Sequence, residues 1–153
     1  MARYVTAVAN SGTVYKLSLL DKVTNGQGEI VEDYSPEVYN QIELPVSTWD
    51  AVHTGMRLVA ENNDSLKRLK VSSAGKTGTA QENALKPNHA LFVGYAPFED
   101  PQIALSVRIT NGYTSANAAE MASELYKYYF KLEGYEQLLD GTATRPSSST
   151  IED

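Results

Sequence analysis

The sequence predicts a single α+β domain, because segments with helical periodicity and segments with strand character occur along one chain. Apolar residues recur at helical spacing in residues 47–60 and 115–132. Residues 71–81, 90–95 and 102–110 are instead rich in small, β-branched and aromatic residues, which are typical of strands. With 153 residues, 42% of them hydrophobic and 21% charged, the chain has the composition of one globular domain.

The first part of the chain predicts a helix, a strand pair and a second helix. Residues 1–10 carry apolar side chains at helical spacing, and the Ser-Gly pair that follows is typical of a helix end. An Asn-Gly turn signal between residues 13–23 and 29–34 predicts a hairpin, and residues 35–45 follow as an irregular link. A capping-box-like start at Ser47 then predicts a helix to about Ala60.

The second part of the chain predicts two more strands and a long helix. Residues 90–95 are apolar on both faces, which favours an interior strand, whereas residues 102–110 alternate, which favours a half-buried one. Ser115 is predicted to cap a helix that runs to about Leu132. Ala118, Ala122, Leu125 and Tyr129 are predicted to form one apolar stripe, with Ala119, Tyr126 and Phe130 beside it, which together are wide enough to cover a sheet. We expect the domain to span residues 1–140 and the Ser/Thr/Pro-rich tail, residues 141–153, to be disordered.

The stretch VSSAGKTGTAQ, residues 71–81, is the candidate functional site. It begins like a strand but places a cation, two threonine hydroxyls and two glycines where bulky side chains are usual. Glycine in a strand often marks a position where a ligand approaches the main chain. Lys76, Thr77 and Thr79 could hold a carboxylate while main-chain groups bind an extended, peptide-like ligand.

The stretch also admits two other interpretations. One is an ordinary strand with a surface lysine. The other is a nucleotide-binding loop, since Gly75, Lys76 and Thr77 match the end of GxxxxGK[ST]. That motif requires glycine where this chain has Lys70, and it requires a helix directly after the threonine, where this chain has Gly78. The nucleotide loop is therefore disfavoured.

Composition excludes several other classes of function. The net charge of −6 and the lack of a long basic run argue against a nucleic-acid partner. The chain has no cysteine, and its two histidines lie far apart, so neither thiol chemistry nor a metal site is expected, and no cofactor is implied. No apolar run of about 18 residues and no export signal occur, so we expect the chain itself to be soluble.

Several separated blocks, in order, resemble the high-molecular-weight, class B-like penicillin-binding transpeptidases. KTG belongs to the signature of penicillin-binding proteins and class A β-lactamases, together with SxxK and SxN. Here KTGTAQ is followed by HALFVGYAP, residues 89–97, and preceded by a helix and glycine turn at residues 1–12. The resemblance extends to about residue 135. It implies an antiparallel sheet with the KTG strand at one edge, then residues 90–95, then residues 102–110.

The resemblance also implies roles for individual residues. Lys76 would shape the electrostatic field and contact the substrate carboxylate, and Thr77 and Thr79 would hydrogen-bond that carboxylate. The main-chain N–H of Thr79 would be an oxyanion donor, and Gly78 would keep the strand accessible. Gln81 would contact substrate, and residues 82–88 would form a loop that overhangs the cleft. The implied partners are the peptidoglycan stem peptide, which ends in D-Ala-D-Ala, and β-lactams.

The nucleophile of that family is not recognisable in this chain. Ser73 and Lys76 match SxxK literally, but they lie in a predicted strand, where side chains three residues apart point to opposite faces. Ser115 and Asn117 match SxN but follow KTG instead of preceding it. The chain thus resembles the C-terminal half of a transpeptidase domain and is expected to be inactive alone. A non-catalytic peptide- or β-lactam-binding module, a β-lactamase and a D,D-carboxypeptidase remain alternatives.

The resemblance carries two expectations about surroundings. The parent protein would act at the extracytoplasmic face of a bacterial membrane, through an anchor outside this chain. Strand 102–110 would lack its family neighbour, and an open apolar sheet edge favours association. We therefore expect that edge to be covered either by a second copy of the chain or by residues 13–34 folding back.

Overall fold

The computed structural model describes residues 1–139 of the chain. In chain order its helices and strands are α1 (Ala2–Ala9), β1 (Thr13–Tyr15), β2 (Lys22–Thr24), β3 (Ile30–Asp33), β4 (Val38–Gln41), α2 (Val46–Asn62), β5 (Ala74–Ala80), β6 (His89–Ala96), β7 (Ile103–Ile109) and α3 (Ser115–Tyr129), followed by a short 3-10 helix (Tyr135–Leu139). The α+β class predicted from the sequence is confirmed. The predicted disordered tail, residues 141–153, lies outside the described residues.

The main sheet is antiparallel and has the order β5-β6-β7. The β5–β6 ladder runs without a break from Ala74 opposite Tyr95 to Ala80 opposite His89. The β6–β7 ladder runs from Ala90 opposite Ile109 to Ala96 opposite Ile103. The order that the resemblance implied is confirmed, with the KTG strand at one edge and β6 in the middle.

One face of this sheet packs against α3 and holds the larger part of the core. Small side chains of α3 approach the sheet closely, and the Phe92 ring lies over Gly75 and Gly94, which face each other across the ladder. The fully enclosed members of this cluster are Ala60, Leu66, Ala90, Phe92, Ala96, Ala118, Ala119, Ala122 and Tyr126. Alanine allows this helix to approach the strands, while the aromatic rings fill the space around it.

The other face of the sheet carries α1 and the start of α2. Val5 and Val8 of α1 are buried, and α1 packs against β6 and β7. His53 of α2 lies 2.7 Å from the carbonyl oxygen of Val8 through its Nε2, and its ring meets the Tyr95 ring edge-on at 6.0 Å. His53 thus has a hydrogen-bond partner for one ring nitrogen, and this contact joins α1 to α2.

The peripheral strands differ from the prediction. The Asn-Gly turn does connect an antiparallel pair, β2 with β3, but residues 13–15 pair with β4 instead of continuing into that hairpin. The predicted long strand 13–23 and the predicted irregular link 35–45 are therefore wrong. The turn chemistry identified the local hairpin, whereas the pairing of β1 with β4 spans more than twenty residues and leaves no local signal.

Both predicted helix caps are also wrong. Pro45 is the N-cap residue of α2, so Ser47 lies inside the first turn and no capping box begins there. Thr114 is the N-cap residue of α3, and its hydroxyl oxygen accepts a hydrogen bond from the Ala116 N–H at 3.4 Å. Ser115 is the first helical residue.

The buried face of α3 includes Ala119 and Tyr126, which were predicted to lie beside the main stripe, but excludes half of that stripe. Leu125 and Tyr129, which were predicted to face the sheet, are 40% and 50% exposed. The buried residues are Ala118, Ala119, Ala122, Ser123 and Tyr126. Ser123 can face inward because its hydroxyl donates to the carbonyl oxygen of Ser65 at 3.0 Å, which satisfies its polar group.

Residues 13–34 do not cover the outer edge of β7, so that half of the expectation is wrong. Their strands pair elsewhere, β1 with β4 and β2 with β3. Within residues 1–139, β7 pairs only with β6.

Candidate active site

The KTG motif lies in the middle of β5, an edge strand of the main sheet. Lys76, Thr77 and Gly78 stand opposite Val93, Phe92 and Leu91 of β6. The stretch is extended strand, and no helix begins after Thr77. The nucleotide-loop interpretation is therefore wrong, because a phosphate loop wraps around its ligand ahead of a helix.

The main-chain groups of β5 alternate between the sheet and its open edge. In an antiparallel ladder, the N–H and C=O of one residue point to the same side, and those of the next residue point to the other. The carbonyl oxygen of Ser72 accepts from the Phe98 N–H at the end of β6. The carbonyl oxygens of Ser73 and Thr77 accept instead from side chains, those of Arg57 and Lys76. Odd-numbered residues thus direct their main-chain groups away from the sheet.

This alternation places the main-chain N–H of Thr79 at the open edge. Thr79 has the same parity as Thr77, and within residues 1–139 no strand pairs with β5 on that side. Unpaired N–H and C=O groups at a sheet edge form a template for an extended peptide. The edge can therefore bind an amide through Gly75, Thr77 and Thr79 without using their side chains.

The polar side chains of the motif lie at the surface. Lys76 and Thr79 are exposed, and Thr77 and Gly78 are partly buried. The Lys76 Nζ donates to the Thr77 carbonyl oxygen at 2.8 Å, so the ammonium group lies against the open edge. This arrangement brings one positive charge and two hydroxyl groups to the same stretch of accessible main chain.

The two glycines of the motif have different surroundings. A Cβ added at Gly75 would lie 2.3 Å from the Phe92 ring and 2.9 Å from the Val93 carbonyl oxygen, so this position admits no side chain. A Cβ added at Gly78 would meet the Leu91 Cβ at 3.4 Å, an ordinary contact. Gly75 is therefore required by the core, whereas nothing in the described fold requires Gly78.

A cluster of charged and titratable groups lies where the loop of residues 81–88 joins the sheet. The Glu82 carboxylate is 2.5 Å from the Nε2 of His89 and 3.9 Å from a guanidinium nitrogen of Arg108. The hydrogen bond from His89 and, to a smaller extent, the charge of Arg108 lower the pKa of Glu82. Gln81, the last residue of the predicted site, is exposed immediately before this cluster.

The two motif matches that the sequence argued against lie before β5 and at the start of α3. Ser73 is buried, and its Oγ has no hydrogen-bond partner among residues 1–139. It precedes β5 and does not begin a helix, in agreement with the sequence argument against it as a nucleophile. Asn117 donates from Nδ2 to the Gly112 carbonyl oxygen at 2.8 Å and so fixes the turn before α3.

The described residues form cavities elsewhere as well. One cavity, of about 300 Å³, lies between the segment before β5 and the end of α3, and is lined by Arg68, Leu69, Lys70, Lys127, Leu132 and Glu133. These residues lie outside the KTG strand. Nowhere in residues 1–139 do three or more His, Asp or Glu side chains meet in a group that could hold a metal ion.

Sequence reasoning missed the pairing of Glu82 with His89. The available signal was their position: they lie at opposite ends of a polar loop between two strands predicted to be neighbours. A histidine at the first residue of an apolar strand is unusual enough to require a partner, because buried polar groups are almost always hydrogen-bonded.

The fold and the site together define a class of protein, the penicillin-binding acyl-transfer domains. Residues 1–127 match the family described as "Penicillin binding protein transpeptidase domain". Penicillin-binding protein 2A of Bacillus subtilis is 31% identical over 93% of this chain, which corresponds to 23% of that relative. The chain thus spans about a quarter of the length of this curated relative.

Solved structures give the same assignment. The D,D-transpeptidase domain of a peptidoglycan glycosyltransferase from Eggerthella lenta has a TM-score of 0.72 and 30% identity, over 87% of this chain and 31% of that one. The penicillin G acyl-enzyme complex of penicillin-binding protein A from M. tuberculosis shares the fold, with a TM-score of 0.71, 20% identity, and coverage of 84% of this chain and 31% of that one. The chain belongs to the penicillin-binding protein transpeptidase family, in its class B, PBP2-like branch.

Proposed function

We propose that residues 1–140 are the C-terminal part of the transpeptidase domain of a longer peptidoglycan D,D-transpeptidase. That protein would cross-link stem peptides ending in D-Ala-D-Ala and would be acylated by β-lactams. The observation that carries the proposal is the KTG strand at an open sheet edge, with the main-chain groups of Thr77 and Thr79 directed outward. Family membership and a relative solved as a penicillin acyl-enzyme support the reaction class.

In this proposal the site residues bind the terminal carboxylate and stabilise the transition state. Lys76 supplies positive charge, and the hydroxyls of Thr77 and Thr79 donate hydrogen bonds to the substrate carboxylate. The main-chain N–H of Thr79 is aimed at the oxygen that becomes negative when the acyl carbon is attacked. Gly78 leaves the edge open, and Gln81 contacts the bound peptide at the end of the strand.

The attacking serine and its base are proposed to lie outside this chain. Acyl transfer needs a nucleophile activated by a neighbouring base, and KTG supplies neither. Attack by the serine oxygen on the D-Ala-D-Ala carbonyl would release the terminal D-alanine, and an amine of a second stem peptide would then take the acyl group. The chain alone is proposed to carry one wall of the cleft and to be inactive.

We also propose a location and a self-contact. The parent protein would act at the extracytoplasmic face of a bacterial membrane, where peptidoglycan is assembled, through an anchor outside this chain. Within residues 1–139, no helix combines the length and apolar character needed to cross a membrane. The chain by itself would associate with a second copy through the outer edge of β7.

The first experiment asks whether this chain reacts with penicillin. The chain is incubated with benzylpenicillin, and its intact mass is measured. We expect no covalent adduct, because the nucleophile is outside the chain. A stable adduct would contradict the assignment of the serine to another segment.

The second experiment uses the longer protein and a fluorescent penicillin. We expect covalent labelling, and we expect Lys76→Met to lower the labelling rate by about 100-fold, the usual effect of removing one preorganised group. Lys67→Met is the matched control, since Lys67 is an exposed lysine that pairs with Asp64 away from β5. A longer protein that binds stem peptide without being labelled would be a non-catalytic binding module instead.

A further inference from the structure

We propose that His89 is a positioning residue, which holds the loop of residues 81–88 at the mouth of the cleft through its hydrogen bond to Glu82. The inference rests on the proposed function for the meaning of the cleft. The hydrogen bond between His89 and Glu82, called the tether below, is a property of this chain itself. His89 pairs with Ala80 in the ladder, beyond the KTG residues of β5. It acts through Glu82, the residue that follows Gln81.

The ladder brings the two partners together. Ala80 and His89 form the last residue pair of β5 and β6, so their side chains lie on the same face of the sheet. Glu82 follows Ala80 by two residues, and its carboxylate returns to this face to meet Nε2 of His89 at 2.5 Å. The bond therefore fixes the direction in which the chain leaves β5.

The hydrogen bonds of His89 define its tautomer. Its Nδ1 accepts a hydrogen bond from the Asn111 N–H at 3.0 Å, so this nitrogen carries a lone pair and no proton. Its Nε2 must then carry the proton that it donates to the Glu82 carboxylate. The His89 side chain is only 7% exposed, so both bonds are shielded from water on the histidine side.

The far end of the loop is fixed at the same point. The Tyr113 N–H donates to the Asn88 carbonyl oxygen at 3.0 Å. Asn111 and Tyr113 both adopt positive φ angles, 54° and 65°, so the turn between β7 and α3 has an unusual and specific shape. His89 thus connects two segments: its Nε2 binds Glu82 at the start of the loop, and its Nδ1 binds Asn111 in the turn before α3.

The Glu82 carboxylate has a second neighbour besides His89, the guanidinium group of Arg108. Arg108 of β7 approaches the Glu82 carboxylate at 3.9 Å and provides the positive charge. Because Arg108 is 60% exposed, this pair is screened by water and contributes little on its own. Of the two contacts of the Glu82 carboxylate, the short bond to His89 is therefore the one that holds the start of the loop.

Two substitutions separate the two bonds of His89. Asn places its amide oxygen where Nδ1 lies, two bonds from Cβ. His89→Asn is therefore expected to keep the hydrogen bond from the Asn111 N–H and to lose the hydrogen bond to Glu82. Gln places its amide nitrogen three bonds from Cβ, as Nε2 is. His89→Gln is therefore expected to keep a donor to Glu82 and to lose the hydrogen bond from the Asn111 N–H. The tether predicts that these variants differ, whereas a purely structural role predicts that they do not.

The first measurement is made on this chain. In the wild type, nitrogen NMR is expected to show the His89 proton on Nε2. Amide hydrogen exchange in residues 82–88 is expected to accelerate at least 10-fold in His89→Asn and Glu82→Ala, and less than 3-fold in His89→Gln and Arg108→Ala. A proton on Nδ1, or equal acceleration in both His89 variants, would overturn the tether.

The second measurement is made on the longer protein, with benzylpenicillin and separate values for the dissociation constant and the acylation rate constant. We expect His89→Asn to lower the acylation rate constant by about 10-fold or more with little change in the dissociation constant, and His89→Gln to remain within about 3-fold of wild type. Equal rate constants in both variants would overturn the positioning role. If the wild-type longer protein is not acylated at all, the proposed function fails, while the exchange data still decide the tether.

Discussion

At the scale of single residues, the two glycines of the KTG stretch carry different constraints although they belong to one motif. Gly75 lies over the core, where the Phe92 ring and a carbonyl oxygen occupy the space of a side chain. Gly78 lies on the face of Lys76 and Leu91, with room for a methyl group. One glycine is therefore a packing requirement, and the other is proposed to be a requirement of ligand approach.

This difference predicts opposite outcomes for two alanine substitutions. Gly75→Ala is expected to lower the free energy of unfolding by about 1–3 kcal/mol, because the new methyl group forces Phe92 out of its position. Gly78→Ala is expected to leave it unchanged or to raise it by up to about 1 kcal/mol through reduced unfolded-state entropy. Urea unfolding of this chain measures both. Equal destabilisation by the two variants would contradict the distinction.

The candidate site could be proposed from the sequence at this scale, and the reason is chemical. The two glycines of the stretch stand out because glycine in a strand often marks where a ligand approaches the main chain, and Lys76, Thr77 and Thr79 lie beside them. In the structure, Lys76 and Thr79 are exposed and Thr77 is partly buried. The environment of Gly75 could not be predicted, since it depends on a ring from the neighbouring strand, and the sequence alone does not give the register.

Buried tyrosines give a second residue-scale prediction, at alkaline pH. Burial raises the pKa of Tyr95 to about 12 and also raises the pKa of Tyr126 above its ordinary value of 10.0. At a pH between the tyrosine pKa of the unfolded state and that of the folded state, the unfolded state has lost protons that the folded state keeps. The free energy of unfolding is therefore expected to fall as the pH rises above about 10.

Tyr126→Phe tests this prediction. The Tyr126 hydroxyl has no hydrogen-bond partner among residues 1–139, so its removal is expected to leave stability at pH 7 unchanged or raise it by about 1 kcal/mol. Between pH 9 and pH 11, the variant should lose less stability than the wild type. Urea unfolding at several pH values measures this, and parallel loss in both proteins would contradict the assignment.

At the scale of elements, helices and main strands were predictable, whereas their ends and the small peripheral strands were not. Periodicity identified α2, α3 and the strands of the main sheet because each extends over several residues with one buried side. An N-cap depends on a single hydrogen bond from a main-chain N–H to a side-chain hydroxyl oxygen. Thr114 and Ser115 are adjacent and both carry a hydroxyl, so the sequence does not distinguish which of them caps α3. The geometry selects Thr114.

The choice of cap residue can be tested directly. Thr114→Ala is expected to lower the free energy of unfolding by about 0.5–1 kcal/mol, at the lower end for caps because the bond to Ala116 is long. Ser115→Ala should have little effect or stabilise slightly, because alanine has the higher helix propensity inside the first turn. Thermal unfolding of the two variants provides the comparison. A larger loss of unfolding free energy for Ser115→Ala than for Thr114→Ala would show that Ser115 is the cap residue.

At the scale of the whole molecule, the sheet is open on both sides within the described residues, and the two edges are not alike. The β5 edge is polar and carries Lys76, while the β7 edge alternates apolar and polar residues. The resemblance predicted the strand order, but pattern alone could not, since three strands admit more than one order. The path of residues 13–34 was mispredicted because long-range pairing leaves no local mark.

The β7 edge predicts concentration-dependent association of this chain. Ladder parity directs the main-chain groups of Ala104, Ser106 and Arg108 outward, where a second copy can pair with them. Sedimentation velocity is expected to show dimers that increase with concentration in the wild type and in Ser106→Ala. Ser106→Pro, which removes an outward N–H, should be monomeric. A wild-type chain that remains monomeric at all concentrations would contradict the proposal.

The fixing of residues 81–88 at both ends has a consequence for how this region can diverge. Glu82 and Asn88 are each held at a defined position, by His89 and by Tyr113. Insertions or deletions between them would change the length of the overhang without shifting the register of β5 and β6. Relatives are therefore free to vary the interior of this segment in size and chemistry while the strands beneath it stay aligned.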